Sequence, residues 1–155
     1  MASKKVCLEP HPIWDYVIGI NSFEDYKNYL PMTILSENVD DEIKAYYQPI
    51  SKLLEFGYLE YSFITLAFRN ALIMLELILK RYYLKSEPNP KQKIMLNDLI
   101  EWFSANKLIN EQQRQQLSML KELRNSYSHP SQNSVMTIQS IKVIDVILII
   151  ANNFS

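Results

Sequence analysis

Glycine is almost missing: only Gly19 and Gly57 occur in 155 residues. Strands joined by tight turns draw repeatedly on glycine for positive φ, so this scarcity argues against an all-β fold and favours helices. Cysteine occurs once, as Cys7. One cysteine excludes an internal disulfide and a thiolate metal cluster, and it fits a chain from a reducing, cytoplasmic compartment. Net charge is also missing, at −1, so no general attraction to nucleic acid or to a membrane surface is expected. The most apolar long stretch, Tyr61 to Leu79, is interrupted by Arg69, Asn70 and Glu76, each expensive in a bilayer. The run Val143 to Ile150 is too short to span one, and no apolar run of signal-peptide length follows Met1 to Cys7. The expectation is a soluble cytoplasmic protein with no membrane contact and no cofactor.

What the chain does contain is enough apolar material, 48% of residues, for one domain with one core. Charge is unevenly spread. Residues 1–45 carry four basic and eight acidic side chains, residues 46–155 twelve and nine. The C-terminal part is therefore mildly basic. Seven prolines stand where helices must stop or bend: Pro10, Pro12, Pro31, Pro49, Pro88, Pro90 and Pro130. Residues 1–40 show aromatics (Trp14, Tyr16, Phe23, Tyr26, Tyr29) without a clean period, and read as an arm or short helices packing on a bundle formed by 41–155. Acidic capping at Asn38-Val39-Asp40-Asp41 predicts a helix from Asp41 to Phe56, kinked or divided at Pro49. After Gly57, Ile64, Phe68, Ala71, Leu75, Ile78 and Tyr82 recur at steps of three and four, predicting a long central helix from Leu59 to Leu84. Further helices are expected over Lys91–Ser104, Glu111–Ser128 and Val135–Asn152. The fold class is thus all-α, an up-and-down bundle of four to five helices.

The segment Arg124-Asn125-Ser126-Tyr127-Ser128-His129 carries the most suggestive chemistry. Arginine is always charged and can grip a phosphate bidentately; histidine moves protons near neutral pH. Together they suit phosphodiester cleavage by the neighbouring 2′-hydroxyl, with His129 as base or acid and Arg124 stabilising charge on the phosphorus oxygens. That chemistry needs no metal. A spacing of five separates the two side chains by about 140° on an ideal helix. They converge only if the helix ends between them, and Pro130 stands directly after His129.

Leu123 to His129 resembles the signature of the HEPN superfamily: an arginine, four to six residues, then a histidine, with a polar residue such as asparagine directly after the arginine. Arg124, Asn125 and His129 match it, within a likeness that covers roughly 41–152. The resemblance implies a small helical bundle with a long amphipathic helix before the motif helix and one more helix after it. It implies a metal-independent endoribonuclease leaving 2′,3′-cyclic phosphate ends, in a toxin–antitoxin, phage-defence or RNA-processing setting. It further implies RNA as substrate, a homodimer in which two motifs face each other across a shared cleft, and an antitoxin or other protein partner. The other reading is a HEPN-like helical module for interaction or dimerisation, without catalysis.

Several residues have two readings. Arg124 and His129 could simply hold cations against a helix C-terminal dipole. Asn125 could orient the histidine or hold phosphate, or be ordinary helix surface. Tyr127 could stack on a base or pack, and Ser128 could touch phosphate. Glu76 and Asp145 each interrupt an apolar helix; either could pair with Arg124 or orient His129, or could face solvent. Arg69-Asn70 resembles the start of the same motif, but Met74 takes the histidine position, and the pair is set aside. Lys80 to Lys93 mixes basic and aromatic residues, as RNA-binding surfaces do, but reads better as a solvated helix end and loop.

Overall fold

The structure is a computed structural model that describes residues 9–127 and 137–155. Among these residues the chain is all-helical, with no strand. A π-helical turn (Trp14–Ile18) comes first. Six α-helices follow: α1 (Phe23–Lys27), α2 (Asp41–Phe56), α3 (Ser62–Ser86), α4 (Leu96–Ala105), α5 (Glu111–Tyr127) and α6 (Thr137–Asn153).

α3 is the centre, packing against α2, α6, α5 and α4. Of the periodic residues, Ile64, Phe68, Ala71, Leu75 and Ile78 are buried on it and Tyr82 is partly buried; Met74, Leu72, Leu79 and Tyr83 are buried too. Burying each large apolar side chain contributes about 1.5–3 kcal/mol. By length and composition α3 could cross a membrane, yet half of its apolar stretch is buried among the other helices.

The helix ends have local causes. Asp40 caps α2 by accepting the Glu42 N–H at 3.0 Å. At α5, Asn110 and Gln113 form a reciprocal box: each side-chain oxygen accepts the other's backbone N–H, both at 2.9 Å. α4 ends in a Schellman-type turn with Lys107 in the left-handed region (φ 58°), its N–H bonded to Ser104 and that of Leu108 to Phe103. Two expectations need correction. At Pro49 the division allowed for does not occur: α2 runs unbroken through it, with Ile43, Ile50 and Leu54 buried on either side. And α4 begins at Leu96, not Lys91: the Lys91 N–H is taken by the Tyr83 hydroxyl at 2.9 Å, which ties that stretch to the end of α3 instead.

The arm closes two faces of the bundle. The Trp14 indole N–H donates to the Gly57 carbonyl at 3.2 Å, and the Tyr26 hydroxyl donates to the Leu54 carbonyl. Trp14 lies edge-on to Tyr26 with ring centres 4.9 Å apart. Gly57 has an ordinary helical φ, so its role is space: a Cβ there would stand 2.6 Å from Ile64 Cγ1 and 2.7 Å from the Tyr26 hydroxyl. Beyond Leu30, extended chain runs along α6. Thr33 and Ser36 donate their N–H groups to Asp145 Oδ1 and Asn152 Oδ1, each at 2.8 Å, and Asn152 Nδ2 returns a bond to the Ile34 carbonyl at 2.9 Å. Seven helical residues rise about 10.5 Å and three extended ones span about 10 Å, so the two registers match.

Candidate functional site

α5 runs past α3 and brings the motif arginine to it. Arg124 Nη2 donates to Glu76 Oε2 at 2.8 Å, with side chains 38% and 28% exposed. At that exposure the pair is worth at most about 1 kcal/mol to stability. Its consequence is geometric, since a carboxylate one helix away fixes the direction of the guanidinium. Asn125 Oδ1 stands 3.5 Å from Arg124 Nη1, a marginal contact.

A second arginine meets the end of the same helix. Arg69 of α3 donates from Nε (3.0 Å) and Nη2 (2.6 Å) to the Tyr127 carbonyl oxygen. A carbonyl in the last turn of a helix has no intrahelical N–H, and the negative end of the helix dipole lies there, so a guanidinium is a suitable partner. Arg69 and Glu76 are seven residues apart, nearly in line on α3, and so both reach α5.

Arg69 and Arg124 line one open pocket of about 360 Å³ with Leu66, Asn70, Leu72, Ile73 and Tyr127. Leu66 and Ile73 are about half exposed. Asn70 Nδ2 bonds back to the Leu66 carbonyl at 2.9 Å and also borders an apolar hollow formed by Tyr46, Pro49, Ile50 and Leu53 of α2. The three polar breaks in the apolar stretch of α3 therefore all meet here: two line the pocket and the third holds Arg124.

Of the residues singled out in the sequence, Arg124, Glu76, Asn125 and Tyr127 lie together at the C-terminal end of α5. The Tyr127 ring is 6% exposed and packs edge-to-face on Phe68, centres 5.1 Å apart, so it is presented to the core. Ser128 and His129 lie outside the described residues. Asp145 is elsewhere, holding the arm through Thr33. In the Lys80–Lys93 stretch, Arg81 is paired with Asp40 (2.9 Å) and with Glu42, and Lys85 reaches Asp40 at 3.7 Å. Met74 is buried in the core. Arg69 and Asn70 lack the motif's histidine, Met74 standing in its place. The signal that could have kept them was burial: a charge inside an apolar helix needs a partner.

Among the described residues, no group of three or more histidine, cysteine, aspartate or glutamate side chains is placed to hold a metal ion. Comparison with protein-family models, with curated proteins and with solved structures finds no significant match to this chain.

Proposed function

We propose that the chain is a HEPN-type endoribonuclease that cleaves RNA without a metal ion. The observation that carries this reading is the placement of Arg124: it lines an open pocket, is oriented by Glu76, and shares that pocket with a second arginine. A guanidinium present only as a counterion to a helix end needs neither a pocket nor a second cation beside it. The order of elements supports the same reading, with a long α3, the motif helix α5 and one helix after it.

In the proposed reaction the 2′-hydroxyl oxygen attacks phosphorus. Its proton passes to a base, the bond from phosphorus to the 5′ oxygen breaks, and an acid protonates that leaving oxygen. The products are a 2′,3′-cyclic phosphate and a 5′-hydroxyl. His129 serves as base or acid. Arg124 donates to the non-bridging oxygens as their charge grows, and Glu76 keeps it aimed. In a homodimer, which the proposal includes, two motifs would share one cleft and supply both base and acid.

The test is incubation of purified protein with mixed single-stranded RNA and tRNA in excess EDTA, wild type beside His129→Ala. The expected result is cleavage by wild type alone, with cyclic phosphate ends. Equal cleavage by the variant would remove His129 from its role. No cleavage by either would transfer the assignment to a non-catalytic helical interaction module.

A further inference from the structure

Arg69 is the charged group in the pocket that the motif does not contain, and its geometry is specific. A guanidinium has five N–H bonds. The Tyr127 carbonyl takes the Nε–H and one Nη2–H of Arg69. The outer edge, with both hydrogens of Nη1 and the second of Nη2, is the fork that matches two phosphate oxygens. Because the inner edge is already clamped to α5, much of the rotamer freedom that binding would remove is already lost, which favours affinity.

The surroundings point the same way. The pocket's lining holds two guanidiniums and no carboxylate, with Glu76 paired to one of them, Arg124, although the whole chain is at −1. Leu66 and Ile73 flank Arg69 one turn away on either side and are about half exposed, presenting apolar surface beside the cations. A phosphate joined to a nucleoside has that pairing of anion and flat apolar face, and about 360 Å³ lies within the ordinary range of ligand sites.

The geometry points to Arg69 as a second phosphate contact for an RNA strand, separate from the phosphate held by Arg124, with the adjoining base over Leu66 and Ile73. This rests on the ribonuclease reading for the identity of the strand, but the contact can be tested without any cleavage.

The probe is a short single-stranded oligodeoxynucleotide, which lacks the attacking hydroxyl, bound to the full chain and followed by fluorescence anisotropy across a salt series. Arg69→Gln is expected to weaken binding about tenfold and to lower the slope of log K against log salt by about 0.7, the value of one lost phosphate contact on a single strand. Arg69→Lys keeps the charge but not the fork; it should retain the slope while losing affinity. Arg114→Gln, in the first turn of α5 at the opposite end from Arg124 and paired with Glu101 at 2.8 Å, should change neither. Circular dichroism melts establish that the variants fold, and the lysine variant carries the test if the glutamine variant does not. Inorganic phosphate, as competitor, separates a general anion site from one that needs a strand: weak competition supports the strand. Wild-type affinity and slope in Arg69→Gln, or no binding by wild type, would overturn the proposal. Binding that depends on Arg69 in a protein that cleaves no RNA would leave this contact standing and remove the ribonuclease reading. Cleavage with unaltered binding in Arg69→Gln would do the reverse.

Discussion

The arm corner and the α3–α5 face both use large polar-tipped side chains to reach backbone carbonyls, with opposite results. At the corner, Trp14 and Tyr26 are fully buried, and each spends its one donor on the carbonyl it meets. Nothing is left over and nothing is open. At the α3–α5 face, Arg69 also ends on a carbonyl, but a guanidinium has donors to spare, the neighbouring Arg124 is only partly covered, and the surface between them is concave. The first arrangement stabilises; the second keeps charge available. Variants of the two regions should therefore separate, one set changing stability and the other changing chemistry.

The largest effect is expected at the corner. Trp14→Ala removes a residue that is 1% exposed and should destabilise by about 3–5 kcal/mol, read by urea denaturation. RNA cleavage by the fraction still folded should be near normal. Gly57→Ala should follow at about 1–3 kcal/mol, because the new Cβ collides with Ile64 and Tyr26. If it were neutral, the corner would be looser than described. Tyr26→Phe should cost about 1 kcal/mol near neutral pH. It should also alter the alkaline limb. Burial pushes the Tyr26 hydroxyl well above its usual value, so the folded protein keeps that proton while the unfolded chain loses it above about pH 10. The tyrosine's contribution is therefore fully present below pH 10 and declines as pH rises, a decline the phenylalanine variant lacks. A pH series of unfolding midpoints for the two proteins checks this. The smallest stability effect is expected at the other face. Glu76→Gln should change the unfolding free energy by less than about 1 kcal/mol, yet lower cleavage about tenfold or more by releasing Arg124.

The helices were legible because a 3.6-residue apolar period is written across the chain. α2 falls on Asp41–Phe56 as its capping residues imply, and α3 differs from expectation by two or three residues at its ends. The start of α4 was not legible, because the group that claims the Lys91 N–H, the Tyr83 hydroxyl, comes from another helix. The arm was opaque for a similar reason: its register is set by Asp145 and Asn152, more than a hundred residues away. At the site, Arg124 and its pairing with Glu76 could be read from a motif and a misplaced charge. For Arg69 only the need for a partner was legible, as a charge inside an apolar helix; the partner itself is a backbone carbonyl, which no side-chain pattern announces.

The most direct test concerns Arg124. RNA cleavage in excess EDTA and the unfolding free energy are measured on the same preparations of wild type and Arg124→Gln. The account predicts that cleavage falls by about a hundredfold or more, the size of a lost donor to a charged transition state, while stability moves by less than about 1 kcal/mol. Undiminished cleavage by the variant would contradict it.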